Sequence, residues 1–309
     1  MKILGIGNAI VDVICKVDDS FIIKNNLTKS TMKLFFDENE FKKLLGNLKI
    51  EKTVSGGSVA NSIVGISQLG NKVGFIGKIA DDEFGNRYEE GLKSEKVEYF
   101  YSKNKEDLPT GTCLILVTPD SERTMCTYLG IAGKINENDI NTDAVKKSEI
   151  IFLEGYLWDE GEPKKAFDKA ITYANKIAMS LSDQFCVNRH KANFLNLIKN
   201  KIDITFANEQ EITSLIDTKN FNDVINFSKQ LNKLIIITRG EKGAVVINGK
   251  EIIECGVKKN IKILDLTGAG DLFAAGFLHG YINNLSKKEC LEKATEMAAR
   301  VIQQVGARL

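Results

Sequence analysis

From about residue 71 onward, short and continuous apolar runs alternate with stretches of helical periodicity. The runs at 72–79, 150–153, 177–182, 202–207 and 233–238 predict strands. Helices are predicted over 82–96, 162–175, about 190–199, 209–215 and 221–231, with two more at 271–282 and 286–304. A strand that is apolar at every position has both faces covered, as in a parallel sheet packed between helices. Repeated strand–helix units connect by right-handed crossovers, so the pattern implies an α/β class with a mostly parallel sheet. Other segments break the rhythm. Residues 11–17 and 33–36 have strand texture with no crossover helix between them. Residues 98–101, 112–118 and 123–128 also read as strands, the last two joined by a turn at Pro119-Asp120-Ser121-Glu122.

Two glycine turns open helices. In the first, an apolar strand predicted at 261–264 leads through Asp265-Leu266-Thr267-Gly268-Ala269-Gly270-Asp271 into an apolar helix at 272–282. N–H groups at a helix start lack intrahelical partners and carry the positive end of the helix dipole. Gly268 and Gly270 leave that backbone open to a ligand, and phosphate is the anion such a turn suits. Asp271 then places a carboxylate beside the anion. Carboxylate and phosphate repel, so its presence calls for a reason, and taking a proton from an attacking hydroxyl supplies one. The competing reading is that Asp271 only caps its helix. The second turn is Ser55-Gly56-Gly57-Ser58-Val59-Ala60-Asn61-Ser62, opening a helix to about residue 69. Gly56 and Gly57 permit close approach, and Asn61 lies one turn in, where its amide reaches the same ligand. The competing reading is a loop followed by a cap at Ser58.

Composition narrows the classes. The 309 residues suffice for two domains or one large α/β domain, and 43% hydrophobic content is ample for a core. A net charge of +1 gives no electrostatic case for a nucleic-acid or membrane partner. The six cysteines are scattered without a CxxC pair and there are two histidines, which argues against a zinc site or a disulfide framework. Reduced thiols and a cytoplasmic location are expected. Asn8 and Asp12 interrupt the apolar N-terminus, which reads as a first strand and not a signal peptide. No apolar run reaches the roughly 18 residues of a membrane span. Gly5-Ile6-Gly7 lacks the third glycine of a dinucleotide motif, since Ile10 stands there, and no GxxxxGK[ST] occurs.

The two glycine segments, Gly7-Asn8 with Asp12, Pro109-Thr110-Gly111-Thr112 and Asn208-Glu209-Gln210-Glu211 together resemble the ribokinase-like (PfkB) family of carbohydrate and nucleoside kinases. The resemblance covers essentially the whole chain, and the Gly-Asn-x-x-x-Asp start is most similar to adenosine kinases and their bacterial relatives. It implies a ribokinase-like three-layer α/β fold over 1–309, with a central mostly parallel sheet and a small β lid from segments of about 11–37 and 98–129. The implied activity is ATP-dependent phosphorylation of a ribonucleoside 5′-hydroxyl, adenosine first. The alternatives are a sugar kinase acting on ribose, fructose or similar, and a nucleoside-binding protein without catalysis, against which the intact Asp271 argues. No nucleic acid or membrane partner is implied, and the oligomer is open between monomer and homodimer.

The same resemblance assigns residues. Asp271 is the base, with the N–H groups of Thr267, Gly268, Ala269 and Gly270 around the developing charge. Asn8, Asp12, Gly56, Gly57 and Asn61 contact the substrate, Asp12 receiving two ribose hydroxyls; alone, Asp12 would read as a solvated strand end. Tyr156 either stacks on a purine or packs, while Trp158 reads as packing. Asn208 and Glu211 hold Mg²⁺ through its waters, or form a helix cap and first-turn pair. Thr238 and Gly240 line the ATP site, where Arg239 either touches phosphate or is merely exposed. One departure is Leu266, which stands where the family commonly has Thr. It bears on a monovalent-cation site, K⁺ for example, that some members carry near Asp265.

Overall fold

The structure, a computed structural model, describes residues 1–101, 103, 107–120 and 122–309. Nine strands form one sheet in the order Glu251–Cys255, Ala244–Asn248, Leu234–Thr238, Ile204–Asn208, Ile177–Ser180, Ile150–Glu154, Ile3–Ile6, Val73–Ile76 and Glu98–Tyr99. Pairing is parallel from Leu234–Thr238 to Glu98–Tyr99, and the two strands at the other edge are antiparallel. Alternate side chains enter different cores. Ile3, Phe152 and Ile236 point to one side, and Leu4, Leu153 and Ile237 to the other. Helices Ser58–Gln68, Ala269–Ile282 and Lys287–Val301 cover the first face. Helices Glu162–Tyr173, Gln184–Asn200 and Glu209–Leu215 cover the second. These three layers are the α/β architecture that the unbroken apolar strands require.

A second sheet has five strands in the order Met32–Phe35, Arg123–Tyr128, Gly111–Val117, Ile10–Lys16 and Ile50–Ser55. It is mixed, since Ile10–Lys16 runs parallel to Gly111–Val117 and antiparallel to Ile50–Ser55. Strand alternation sorts its two faces. Val11, Val13, Leu114 and Leu116 are buried in the main core, while Ile10, Asp12, Cys113 and Ile115 face a cleft between the sheets.

Several expectations need correction. The segment 98–101 does not join the small sheet, because Glu98–Tyr99 pairs with Val73–Ile76 at the edge of the large one. Ile50–Ser55 is a strand that the pattern hides, since its first three residues are exposed and its one apolar lead residue faces solvent. Residues 261–264 form no strand. They lack a sheet neighbour, and Ile263 and Leu264 are 58% and 51% exposed. The short helices Asp19–Lys24 and Glu38–Gly46 lie where no helix was predicted, each capped by an aspartate side chain, Asp18 and Asp37. The hairpin of Ala244–Asn248 and Glu251–Cys255 turns at Gly249, whose φ of 56° suits glycine. Helix Gln184–Asn200 starts before the predicted 190, and His190 is the non-helical kink within it. Of the predicted Pro119–Glu122 turn, Ser121 lies outside the described residues.

Helices Ser58–Gln68 and Ala269–Ile282 carry the two glycine turns and pack side by side. Gly65 makes this possible, because a Cβ there would come 2.7 Å from Leu272 Cδ1 and 2.9 Å from Ala275 Cβ. Gly65→Val should therefore force the helices apart. Overpacking of this kind costs about 1–3 kcal/mol. Urea unfolding should show that loss, and a variant as stable as wild type would mean the contact has slack.

Candidate active site

The first glycine turn is shaped by three separate contacts. Gly268 caps Ala269–Ile282 with a φ of 78°, in the left-handed region that favours glycine. A Cβ on Gly268 would also meet the Ala307 Cα at 2.6 Å. Asp271, in the first turn of the helix, does not cap it. Its carboxylate accepts from Ser58 Oγ at 2.6 Å and from Asn61 Nδ2 at 3.0 Å, both on the other motif helix. Burial raises the Asp271 pKa above the ordinary carboxylate value, against the lowering by Ser58, Asn61 and Arg308. Of the four N–H groups expected to face an anion, two are taken. Thr267 donates to Asp265 Oδ1 at 3.0 Å and Ala269 to the Leu266 carbonyl at 3.2 Å, because the turn closes on itself. Among the described residues those of Gly268 and Gly270 have no protein partner, and a Cβ on Gly270 would meet nothing within 4 Å.

Asp265 ties this turn to two other parts of the molecule. Its Oδ1 accepts from the Thr267 N–H and hydroxyl at 3.0 and 2.7 Å. Its Oδ2 accepts from Arg123 of the small sheet and from the Gly306 N–H. Burial acts to raise the Asp265 carboxyl, but the bonds from Gly306, Thr267 and Arg123 outweigh it and hold the group below its ordinary value. With four donors already on the carboxylate, Asp265 does not fit as a ligand for a monovalent cation. Arg123 also donates to Thr267 Oγ1 at 3.0 Å, so a small-sheet residue braces the turn directly.

The other half of the cleft is built around the buried Glu154 and the half-buried Asp12. Glu154, 1% exposed, ends a core strand and accepts from Asn8 Nδ2 at 3.0 Å and from the Val59 N–H at 3.0 Å. It therefore occupies the N-terminus of Ser58–Gln68, where a free anion could otherwise bind. The bond also orients the Asn8 amide. Asn8 Oδ1 is buried without a hydrogen-bond partner among the described residues, and Asn8 lines the cleft. At Gly56 and Gly57 neighbouring protein atoms leave no room for a side chain. A Cβ on Gly56 would meet Asp12 Oδ2 at 2.4 Å, and one on Gly57 the Asn8 carbonyl at 2.3 Å. Asp12 is pushed up to about 7 by burial, with Arg308 opposing and Asp271 adding to the rise.

One cleft of about 1080 Å³ gathers Asn8, Asp12, Gly57, Tyr156, Asn208, Glu211, Thr238, Thr267, Gly270 and Asp271. Gly56, Asn61, Gly240, Gly268 and Ala269 are not among its lining residues. Tyr156, 41% exposed, lines the cleft together with Phe185 and the apolar small-sheet residues Ile10, Leu34 and Ile115. Trp158 is buried against His190 and Phe194, as packing requires. Asn208 and Glu211 form a reciprocal capping box, with Glu211 N–H to Asn208 Oδ1 at 2.8 Å and Asn208 N–H to Glu211 Oε2 at 3.0 Å. Burial carries Glu211 up to about 7. Arg239 is committed elsewhere, donating to Glu209 at 2.9 Å and lying over the Phe221 ring.

Three residues of the site were not assigned from sequence. Glu154 had a signal, being the one charge at the carboxyl end of an apolar strand, where α/β sheets bind ligands. Arg123 and Arg308 had none, since an arginine in a strand or near a chain end reads as solvated.

Residues 29–309 match the profile of the pfkB family carbohydrate kinases. The adenosine kinase from Sinorhizobium meliloti has a solved structure with a TM-score of 0.91 and 37% identity, over 100% of this chain and 95% of that one. A probable sugar kinase from Rhizobium etli CFN 42 gives a TM-score of 0.91 and 36% identity, over 99% and 94% of the two chains. The 5-dehydro-2-deoxygluconokinase of Mesomycoplasma hyopneumoniae is 26% identical, over 93% of this chain and 88% of that protein.

The buried Glu154 and the half-buried Asp12 make stability depend on pH with a definite sign. Asp12 and Glu154 are both carried up to about 7 by burial, whereas an unfolded chain releases those protons near pH 4. Between about pH 4 and 7 the folded state holds more protons, so stability of the ligand-free protein falls as pH rises through that window. Asp12→Asn should flatten the fall and raise stability at pH 7.5 by on the order of 1 kcal/mol. Urea midpoints at pH 5.5 and 7.5 measure both, and an unchanged slope would show that Asp12 ionises freely.

Proposed function

Since the chain belongs to the pfkB family of carbohydrate kinases, we propose that it transfers the γ-phosphoryl group of ATP to the 5′-hydroxyl of a ribonucleoside, with adenosine the preferred acceptor. The observation that carries this reading is the placing of Asp271 at an open glycine turn, in one cleft with Asp12 and an apolar, aromatic wall. Asp271 takes the proton from the attacking hydroxyl. Its raised pKa makes it a stronger base than an exposed aspartate. The N–H groups of Gly268 and Gly270, at the positive end of the helix, receive the charge that develops on the transferred group. Phosphoryl transfer needs mainly positioning and electrostatic stabilisation, which these groups supply.

The acceptor half supports a nucleoside. Asp12 can take two adjacent ribose hydroxyls, and the unpartnered Asn8 Oδ1 can take one more. Tyr156 and Phe185 offer aromatic faces to a base. Thr238 and Gly240 border the nucleotide half. Asn208 and Glu211 bring oxygen-bearing side chains to the cleft lining, which suits an ion that keeps much of its hydration. Mg²⁺ bound there would offset phosphate charge.

A sugar kinase is the second reading, favoured by the names of the curated relatives and of the Rhizobium etli protein. A sugar acid would need a cation in the acceptor half, and among the described residues Arg189 is the one cation lining the cleft.

Two measurements test the proposal. Asp271→Asn keeps the size and loses the basicity, so turnover should drop by roughly 10²–10⁴-fold with nucleotide binding retained. Activity within a few fold of wild type would remove Asp271 from the reaction. The kcat/KM values for adenosine, inosine, ribose, fructose and 5-dehydro-2-deoxygluconate, under one set of conditions, decide the acceptor. A site built to receive hydroxyls can reject an analogue lacking them by up to roughly 10⁴-fold. Adenosine should therefore lead the panel and greatly exceed 2′,3′-dideoxyadenosine. A sugar or sugar acid ahead of both nucleosides replaces this reading with the second.

A further inference from the structure

Residues 302–308 run beneath both glycine motifs. The Ile302 carbonyl accepts from the N–H groups of Leu264 and Asp265 at 2.8 and 3.2 Å. Gly306 donates to Asp265 at 2.7 Å, and Ala307 fills the space that a side chain on Gly268 would need. Arg308 then reaches the second motif, where its Nε donates to Asn61 Oδ1 at 3.0 Å. Arg308 does not line the catalytic cleft. It borders a separate cavity of about 460 Å³ on the far side of the motif, with Tyr88 and Glu95.

We propose that Arg308 is a positioning residue of the catalytic centre: it fixes the Asn61 amide that holds Asp271, and it supplies the counter-charge for Asp271 and Asp12. The first half follows from hydrogen-bond valence. An asparagine amide has one acceptor end and one donor end. With Oδ1 on Arg308, Nδ2 must face Asp271, as it does at 3.0 Å. Turning the amide over would set a carbonyl oxygen against a carboxylate and an NH₂ against a guanidinium, so both contacts would fail together. The second half follows from burial. Among the described residues the Arg308 Nη2 is buried without a hydrogen-bond partner. A half-buried cation placed this way is stabilised by the field of nearby carboxylates. Those carboxylates, in turn, repel one another unless a cation is close. The groups that face Asp271 are Ser58, Asn61 and Ser62 on one helix, Asp12 on the small sheet, Glu154 and Tyr156 at the end of a core strand, and Arg308. Arg308 is the cation in that set. Its charge lowers Asp12 and Asp271 against the effect of burial.

The inference rests on Asp271 being the base, and the experiment separates the two. Arg308→Gln, Arg308→Lys and Asp271→Asn are compared with wild type for kcat and KM at saturating ATP from pH 5.5 to 9, with melting temperatures taken alongside. In Arg308→Gln, kcat at pH 7 should fall by roughly 10–100-fold with KM within a few fold. The acidic limb of the kcat profile should move up by on the order of one pH unit, because the counter-charge is gone. Arg308→Lys keeps the charge but not the planar fork, so its limb should stay near wild type while kcat remains reduced. An Arg308→Gln protein with wild-type kcat and limb overturns the inference, as does a reduced kcat whose limb has not moved. Should Arg308→Gln fail to fold, Arg308→Lys decides: full wild-type kcat overturns the amide-fixing role, and a displaced limb overturns the counter-charge role. An active Asp271→Asn removes the base on which the inference stands. An inactive Asp271→Asn beside a wild-type Arg308→Gln profile leaves the base in place and removes only Arg308.

Discussion

The structure depends most on how Asp271, the proposed base, is held: its carboxylate accepts from Ser58 and Asn61, and a carboxylate proposed to work beside a phosphate needs such holding against repulsion. These two bonds join residues more than 200 positions apart in the chain. They also explain why the two glycine motifs have to open neighbouring helices. The motif helices approach closely at Gly65, the turn at Gly268 packs on Ala307, and Ser62 donates to the Asp271 carbonyl at 2.9 Å. Each contact narrows the positions open to one carboxylate. Reaction by positioning depends on that narrowing more than on any single strong interaction.

The cleft concentrates negative charge to a degree that the near-neutral chain does not suggest. Asp12, Glu154, Glu211 and Asp271 all line it, and burial raises the pKa of each. Ionising these groups in one cleft is opposed both by burial and by their mutual repulsion, so the same feature that makes Asp271 more basic also lowers stability as pH rises. Asp265 is the exception. Its four donors hold the carboxyl below its ordinary value, and they make it a structural junction between the small sheet, the turn and residue 306. Through Arg123 the small sheet is tied to the anion turn itself, so the wall that lines the acceptor half and the turn proposed to receive phosphate are mechanically coupled.

Much of the three-layer architecture was legible from local pattern alone. Strands such as Ile150–Glu154 and Leu234–Thr238 are apolar at nearly every position because helices cover both faces, and that leaves a signal needing no knowledge of neighbours. Elements at the margins left no such signal. Ile50–Ser55 is a half-exposed edge strand, and residues 261–264 look like a strand but have no sheet partner. Of the site, the glycine turns and Asp271 could be read because they are contiguous, and helix-start chemistry is local.

The sequence by itself determined most element types, the mostly parallel order of the large sheet, the glycine turns and the residue types available for proton transfer. It did so because periodicity, helix-end donors and glycine conformation act over a few residues. Only the tertiary structure decided which groups meet. It put Asn61 on Asp271 and Arg308, turned the Thr267 and Ala269 N–H groups inward, set Arg239 on Glu209, and surrounded Asp265 with donors from three segments. Hydrogen-bond partners and pKa values depend on distances between parts of the chain that lie far apart in sequence. Those distances are set by how the helices pack on the sheet, and no local pattern carries them.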